Sequence, residues 1–404
     1  MLACRQRVVA PGTQLGLPEV TLGVVPGAGG TQRLPRLIGL AGALSMIPTG
    51  KPVKADKALE IGLIDVIADD PVATATRLNF AEVAARPRVS AMSPPERDAD
   101  ALDQARAIAA KKLRGQIAPQ RAIDLIEACC EVPFGQAASD ERDTFISLRT
   151  QPQAMALRHA FFSERAAGKP DWIKSDPIEI TGVAVVGGGT MGAGIAYALL
   201  NAGLSVVLLE TDADGCERAR ENVEKIVSAS LQRGLIDEAG AQERRAALQI
   251  SHDYSDASEA QLAIEAAFES MDVKKAVFQA LEAHLQASAI LATNTSYLDV
   301  NEIADVLDDP TRLIGLHFFA PAHIMKLLEI VRGDGSSQVA LATGFALAKR
   351  LRKIPVLAGV CDGFIGNRIL QSYREAADFL LMDDTNPWEL DEAMVEFGYA
   401  MGPY

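Results

Sequence analysis

The segment VAVVGGGTMGAG, residues 183–194, is the strongest indication of the fold in the larger part of this 404-residue chain. Four apolar residues run into a turn where Gly187, Gly189 and Gly192 stand in the G-x-G-x-x-G spacing, and the apolar stretch GIAYALLNAG continues from it. The first glycine permits a tight turn, the second lets a pyrophosphate approach the backbone, and the third lets a helix pack closely against the strand. The spacing therefore predicts a strand, a phosphate-binding turn and a helix.

The second predicted strand, SVVLL, ends in an acidic residue. Glu210 stands 23 residues after Gly187, where a carboxylate accepts hydrogen bonds from the ribose hydroxyls of adenosine. No arginine follows directly in TDADG, so the pattern favours NAD over NADP. Thr190 and Met191 would begin the helix and bring its N-terminal N–H groups to the phosphates. A glycine-rich turn without a ligand is the alternative.

The pattern around this segment predicts an α/β fold with several domains. Between residues 178 and 357 the strand-like runs GVAVVG, SVVLLE, LAIEAAF, AILATNTS and LIGLHFF alternate with helical patterns, which is typical of a Rossmann-type, doubly wound parallel sheet. Residues 1–70 read as strand, turn and helix, and residues 358–404 as helical. Residues 71–177 form a helical region that ends in a linker at 164–179 and is broken by prolines at Pro94, Pro95, Pro119 and Pro133.

Composition excludes several classes of protein. The net charge of −14 argues against a nucleic-acid partner, because no basic field is available to displace phosphate counterions. The uncharged stretch from Ile180 to Leu209 is long enough for a membrane span, but its glycines and two β-branched runs indicate buried strand, helix and buried strand, so no integral membrane segment is expected.

Cysteine usage and the chain start indicate a cytoplasmic protein, or a peroxisomal one in a eukaryote. The five cysteines form no C-x-x-C pair, which favours reduced thiols and predicts no metal site. The start MLACRQRVVAPG lacks the apolar core of a signal peptide, and we find no targeting signal.

The segment LIGLHFFAPAHIMKLLEIV carries the strongest chemical pattern. His317 ends a predicted strand, where ligands of open α/β sheets gather, and Glu329 follows twelve residues later on a return strand. A carboxylate on one imidazole nitrogen fixes the tautomer and leaves the other nitrogen to take a proton from an alcohol. A structural histidine is the alternative, and we assign no role to His323.

Five motifs in fixed order resemble those of the (3S)-3-hydroxyacyl-CoA dehydrogenase family: GGGTMGAGIA, IEAAFESMDVKKAVF, ATNTSYLDV, LHFFAPAHIMKLLEIV and DGFIGNRIL. The resemblance runs from about residue 180 to the end. It implies that His317 is the general base, that Glu329 orients it, that Ser296 hydrogen-bonds the reacting oxygen, and that Asn367 helps to hold the thioester substrate.

The same resemblance implies cofactor contacts. It places Glu269 and Lys274 near the nicotinamide and its ribose, and Asn294 against the cofactor. Each residue has a structural alternative: Asn294 and Ser296 as turn caps, Lys274 on a charged helical face, and Asn367 as the cap of the following helix.

The start of the chain resembles the enoyl-CoA hydratase/isomerase, or crotonase, family through LPEVTLGVVPGAGGTQRLPRLIG and TGKPVKADKALEIGLIDVI. The resemblance implies that Glu19 is one of two catalytic carboxylates. The other glutamate and the oxyanion loops would precede MLACR, so hydratase activity is not expected from Glu19 alone. The join of the two families, with ALRHAFFSERAAGK before the linker, resembles the bifunctional hydratase–dehydrogenases of fatty-acid β-oxidation.

These resemblances imply a chain truncated at both ends, with part of a crotonase domain and the start of an all-α dehydrogenase domain. The expected function is NAD-dependent oxidation of a (3S)-3-hydroxyacyl-CoA, with acyl-CoA as substrate and self-association through the C-terminal region. The alternatives are a hydratase or isomerase, and a subunit that only binds NAD or CoA.

Overall fold

A computed structural model describes residues 1–404, which form two compact units. One unit comprises residues 1–163 and 396–400, and the other comprises residues 164–395 and 401–404. None of the helices combines the length and apolar character needed to cross a membrane.

The strands are β1 (Val8–Val9), β2 (Gln14–Leu15), β3 (Val53–Lys54), β4 (Val66–Ile67), β5 (Gly182–Val186), β6 (Ser205–Leu209), β7 (Leu248–Ser251), β8 (Leu262–Glu265), β9 (Ile290–Thr293), β10 (Leu313–Phe318), β11 (Leu327–Arg332) and β12 (Ile354–Gly359). The helices are α1 (Gly30–Met46), α2 (Ala55–Glu60), α3 (Pro71–Thr76), α4 (Phe80–Ala85), α5 (Ala99–Lys112), α6 (Ile117–Glu131), α7 (Phe134–Arg149), α8 (Pro152–Ala167), α9 (Thr190–Asn201), α10 (Ala213–Gln232), α11 (Glu238–Ala246), α12 (Met271–His284), α13 (Val300–Ala304), α14 (Gln338–Arg350), α15 (Gly366–Met382) and α16 (Pro387–Phe397). Short 3-10 turns lie at Glu19–Leu22, Val89–Ala91, Tyr254–Ala257 and Pro310–Arg312.

The second unit is built on an eight-stranded sheet with the order β12-β11-β10-β9-β8-β5-β6-β7. Every neighbouring pair is parallel except β10 and β11, which run antiparallel. The six strands β7-β6-β5-β8-β9-β10 have the strand order of dinucleotide-binding folds. From β5 the chain adds β6 and β7 on one side, and it then returns to add β8, β9 and β10 on the other side. The doubly wound sheet predicted from the sequence is confirmed.

Strand β5 shows why the long uncharged stretch is a sheet core. Val183 and Val185 face one core, which α9, α10 and α14 cover, while Ala184 and Val186 face a second core, which α12 and α13 cover. A parallel strand buried on both faces loses its polar alternation, so its sequence reads as one apolar run. The chain then forms α9 and β6, as the strand, helix and strand interpretation required.

The first unit is helical apart from four strands of two residues each. β1 pairs with β4 in parallel and β2 with β3 antiparallel, and α1 packs against α5, α6 and α7 over one shared core.

Two local expectations from the sequence were wrong. Pro119 lies inside the first turn of α6 instead of breaking a helix, because the N–H that proline lacks has no partner there. The linker expected from residue 164 starts later, since α8 continues to Ala167.

Candidate active site

His317 and Glu329 face each other on two neighbouring strands of the second unit. β10 and β11 pair antiparallel with His317 opposite Glu329, and the imidazole Nδ1 lies 2.7 Å from the Glu329 Oε2. Both residues are buried, with 4% and 1% of their surface exposed. The strand return expected from the spacing therefore brings the two side chains into contact.

The second oxygen of Glu329 binds the start of α15. Its Oε1 accepts hydrogen bonds from the N–H groups of Ile365, at 3.1 Å, and Gly366, at 2.8 Å. Burial raises the pKa of Glu329, but the hydrogen bonds from His317 and from these two amides outweigh burial and leave the pKa lowered. Glu329 is therefore a carboxylate at neutral pH and caps α15, a function that was considered for Asn367 only as the structural alternative.

This contact fixes the tautomer of His317. A carboxylate only accepts hydrogen bonds, so the imidazole carries its proton on Nδ1. Nε2 makes no hydrogen bond within the protein, so in the uncharged form of the ring it would carry a lone pair without a partner. The rings of Phe319 and Phe364 lie 4.5 Å and 5.7 Å from the imidazole. A neutral imidazole with an apolar surround and a free Nε2 is suited to accept a proton from a hydroxyl.

A buried charge cluster lies beside the carboxyl ends of β8 and β9. The Lys274 ammonium is 2.8 Å and 2.9 Å from the two oxygens of Glu265 and 3.1 Å from the Glu269 Oε2. Lys274 is 1% exposed and Glu265 fully buried, so the alternative that placed Lys274 on a charged helical face is wrong. Glu265 was not selected from the sequence, although an acidic residue that ends the apolar run LAI could have indicated a buried ion pair.

Glu269 organises the loop after β9. Partial burial raises its pKa, but hydrogen bonds from the Thr295 hydroxyl, at 2.6 Å, and the Ser296 N–H, at 2.7 Å, together with the charge of Lys274, lower the pKa overall. The Ser296 hydroxyl itself makes no hydrogen bond within the protein. Asn294 does not cap a turn, because its Oδ1 accepts the Phe318 N–H at 2.8 Å and so ties the loop to β10 next to His317.

A cavity of about 590 Å³ borders the same loop and α15. Tyr297 and Asn367 line it, together with Asp362, Leu370, Gln371, Arg374, Glu375 and Asp378. The Asn367 side chain makes no hydrogen bond with His317, Ser296 or any other protein group, so the interpretation as a helix cap is wrong. Its amide is free for a ligand in the cavity.

The glycine-rich turn has the geometry that a dinucleotide requires. Gly187 has φ +94°, and a Cβ there would lie 2.8 Å from the Ala266 carbonyl oxygen. A Cβ on Gly192 would overlap the Gly187 carbonyl. A Cβ on Gly189 would meet no protein atom within 4 Å, so packing does not require this glycine, and the space in front of the N-terminus of α9 stays open. Glu210 accepts the Gly188 N–H at 2.6 Å, which holds the acid against the turn.

The first unit contains a separate candidate site around Glu19. Its carboxylate lines a cavity of about 620 Å³, and the buried Oε2 has no hydrogen-bond partner. Burial and the negative charge of Glu141 raise the pKa of Glu19, against a lowering backbone hydrogen bond. Glu141 accepts hydrogen bonds from the N–H groups of Gly29 and Thr31, so it caps α1 and is not free to move protons.

Three family models match successive parts of the chain. Residues 1–112 match the enoyl-CoA hydratase/isomerase model, residues 182–361 match the 3-hydroxyacyl-CoA dehydrogenase NAD binding domain, and residues 363–404 match the 3-hydroxyacyl-CoA dehydrogenase C-terminal domain.

Some similar proteins match the whole chain, and others match only part of it. The peroxisomal bifunctional enzymes of Cavia porcellus and Danio rerio are 38% and 39% identical over all of this chain, which spans 57% of their length. The solved (S)-3-hydroxybutyryl-CoA dehydrogenase from Ralstonia eutropha is 31% identical with a TM-score of 0.54, over 56% of this chain and 80% of that one. The 3-hydroxybutyryl-CoA dehydrogenase from Escherichia coli is 33% identical with the same TM-score, over 56% of this chain and 48% of that one.

The sheet order, the glycine-rich turn and the His317–Glu329 pair define the second unit as a dinucleotide-binding dehydrogenase domain. The chain belongs to the 3-hydroxyacyl-CoA dehydrogenase family. Its order of regions, with a hydratase/isomerase part before the dehydrogenase part, is that of the bifunctional members.

Proposed function

We propose that the second unit oxidises the 3-hydroxyl of a (3S)-3-hydroxyacyl-CoA to a ketone with NAD, as a step of fatty-acid β-oxidation. The observation that carries the proposal is the 2.7 Å contact between His317 Nδ1 and Glu329, which leaves Nε2 free as a base. Oxidation of an alcohol by NAD requires such a base, because the hydroxyl proton must leave as the carbonyl forms.

His317 takes the hydroxyl proton on Nε2, and the Glu329 carboxylate stabilises the resulting imidazolium through Nδ1. The free Ser296 hydroxyl and the free Asn367 amide donate hydrogen bonds to the substrate oxygens. Donors that are already in place stabilise charge on the reacting oxygen without reorganisation. The acyl-CoA thioester occupies the cavity beside Asn367 and Tyr297.

The residues of the turn fit NAD. Gly187, Gly189 and Gly192, with Thr190 and Met191, would hold the pyrophosphate at the start of α9, and Glu210 would hold the adenosine ribose. Glu269, Lys274 and Asn294 lie near the carboxyl ends of β8 and β9, where they would face the nicotinamide. When bound, NAD would supply the acceptor for the hydride that leaves C3 of the substrate.

We further propose self-association through the C-terminal region, where α15 exposes Ile369 and Phe379. For location, we propose the peroxisome in a eukaryotic cell, which the peroxisomal names of the bifunctional relatives support, and the cytoplasm otherwise.

The test of the proposed function is consumption of NADH by the purified chain with acetoacetyl-CoA. We expect consumption with NADH and much less with NADPH, because Glu210 would repel a 2′-phosphate. If the folded chain binds NADH but does not consume it, the proposed dehydrogenase activity is wrong and only a role in binding NAD remains.

Substitutions in the glycine-rich turn separate cofactor binding from folding. Gly189→Ala should leave the melting temperature unchanged, since the new methyl group meets no protein atom, and should weaken NAD binding because the methyl group occupies the pyrophosphate position. Gly192→Ala should instead destabilise the fold, because its methyl group overlaps the Gly187 carbonyl. Thermal unfolding and NADH fluorescence titration measure the two effects. Unchanged NAD affinity in Gly189→Ala would place the cofactor elsewhere.

A second candidate function is proton transfer on an enoyl-CoA thioester by Glu19. Three observations favour it: Glu19 lines a cavity, its buried Oε2 has no hydrogen-bond partner, and its pKa is raised. One carboxyl group suffices to move a proton between carbons, whereas addition of water commonly uses two. We therefore expect the chain to isomerise a 3-enoyl-CoA but to hydrate crotonoyl-CoA no faster than buffer, both without NAD.

Glu19→Gln should abolish the isomerisation, and the exposed Glu60→Gln should not change it. Hydration of crotonoyl-CoA that is lost in Glu19→Gln would show that a second acid is present and contradict the single-carboxylate assignment.

A further inference from the structure

Residues 319–326 connect the strand of His317 to the strand of Glu329, and the loop Pro321–Lys326 forms most of this connection. The N–H groups of Ile324 and Met325 both donate to the Pro321 carbonyl, at 2.9 Å and 3.0 Å, so the loop forms a compact turn. Two carbonyls of the loop, those of Ala322 and Met325, accept hydrogen bonds from one ammonium group, that of Lys353, each at 2.6 Å. A single side chain therefore holds the loop at two points.

Lys353 is a buried lysine without a carboxylate partner. It is 9% exposed, forms no ion pair with a carboxylate, and its ammonium lies 5.5 Å from the centre of the Phe318 ring. Burial lowers the pKa of Lys353 to about 8. A buried ammonium without a counter-ion costs free energy, which the two carbonyls and the ring offset only in part.

The backbone of Lys353 is fixed by the end of α14. Its N–H donates to the Ala348 carbonyl at 2.8 Å, and Arg352 before it has a positive φ of 56° that closes the helix. Lys353 thus reaches the loop from a rigid base.

The loop held by Lys353 packs on the helix that begins at the glycine-rich turn. A Cβ built on Gly194 of α9 would lie 3.2 Å from the Ala322 Cβ, and Ala322 is 1% exposed. The His323 ring meets the Tyr197 ring of α9 edge-on, with centroids 5.7 Å apart. The same loop thus contacts α9, the helix that begins at the glycine-rich turn, and joins the two strands that carry His317 and Glu329.

We propose that Lys353 is a positioning residue for the dehydrogenase reaction: by clamping the loop Pro321–Lys326 against α9, it fixes His317 relative to the cofactor. The inference rests on the proposed function. A donor and an acceptor of hydride react only when they are correctly placed, and a small displacement lowers the rate without a change in the reacting groups.

The test compares Lys353→Met with Lys326→Met, an identical change at an exposed lysine of the same loop. In Lys353→Met we expect kcat per folded molecule to fall about tenfold or more, because misplacement acts on the chemical step. With substrate deuterated at C3, the isotope effect on kcat should rise for the same reason, and the KM for acyl-CoA should change little. Lys326→Met should match the wild type in all three.

Two measurements keep the test independent of turnover and of folding. Exchange of the Ile324 and Met325 amides with deuterium should accelerate in Lys353→Met, and NAD affinity should fall. If Lys353→Met does not fold, Gly194→Ala provides a second test. Its methyl group would lie close to Ala322 and displace the loop from the α9 side, while alanine favours the helix. This variant should show the same lower kcat and larger isotope effect.

A variant whose only change is a lower melting temperature, with normal kcat, isotope effect, NAD affinity and amide exchange, would overturn the role of Lys353. If the wild type binds NAD but shows no turnover, the proposed function fails and with it the role of Lys353 in the reaction, while amide exchange and NAD affinity still show whether Lys353 holds the loop against α9.

Discussion

Replacing His317 with glutamine should lower the oxidation of a (3S)-3-hydroxyacyl-CoA by about 10²- to 10⁴-fold, the range that general bases contribute. Glutamine is similar in size and can still contact Glu329, but it has no lone pair that accepts a proton at neutral pH. The loss should appear in kcat, since the base acts in the chemical step. NAD affinity should remain within error, because no hydrogen bond joins His317 to the glycine-rich turn.

The matched control is His252→Gln, the same change at an exposed histidine of the second unit. Steady-state kinetics, NADH fluorescence titration and thermal unfolding of the three proteins separate a chemical effect from a folding effect. If His317→Gln retained most of the wild-type kcat, the base would have to be another group.

Glu329→Gln should produce the second large effect, a fall in kcat of about 10²- to 10³-fold, within the contribution of general acid–base catalysis. An amide cannot stabilise the imidazolium, and its NH₂ group can turn towards Nδ1 and favour the wrong tautomer. The N–H groups of Ile365 and Gly366 would keep an amide oxygen as acceptor, so α15 should remain formed.

Glu282→Gln is the control for this change. Glu282 likewise accepts hydrogen bonds from two backbone N–H groups, those of Asp308 and Asp309, and pairs with Arg312. It should therefore cost stability but leave kcat per folded molecule unchanged. If Glu329→Gln and Glu282→Gln changed kcat equally, Glu329 would have only a structural role.

The stability of Glu329→Gln should also depend on pH differently from that of the wild type in acid. Because the pKa of Glu329 lies below its usual value of 4.5, its carboxylate stabilises the fold above that pH, and this stability is lost as the pH falls through the lower folded pKa. Glu329→Gln should remove this part of the pH dependence of unfolding.

The spacing of residues along the chain was sufficient to predict the parts of the site that strands carry. His317 and Glu329 stand on consecutive apolar runs, and a return between them can bring the side chains opposite each other, which the register shows. The glycine-rich turn is equally local, because Gly187 and Gly192 meet within one turn of chain.

Residues that act across the sheet were not predictable in the same way. Lys274 lies on a helix with a charged sequence, and only its approach to Glu265 on β8 shows that it is buried. Lys353 is distant in sequence from the loop that it holds, and no pattern connects an isolated lysine with two carbonyls. Such contacts depend on how β8, β10 and α14 assemble, which is set by packing and not by periodicity.

We propose that this chain oxidises a 3-hydroxyacyl thioester directly with NAD and that His317 is the base. The most direct measurement is transfer of deuterium from C3 of a deuterated (3S)-3-hydroxyacyl-CoA to the nicotinamide ring, followed by mass spectrometry of the NADH formed. We predict one deuterium per NADH with the wild type and no labelled NADH above background with His317→Gln. Unlabelled NADH, or none from a folded chain that binds NAD, would contradict the claim.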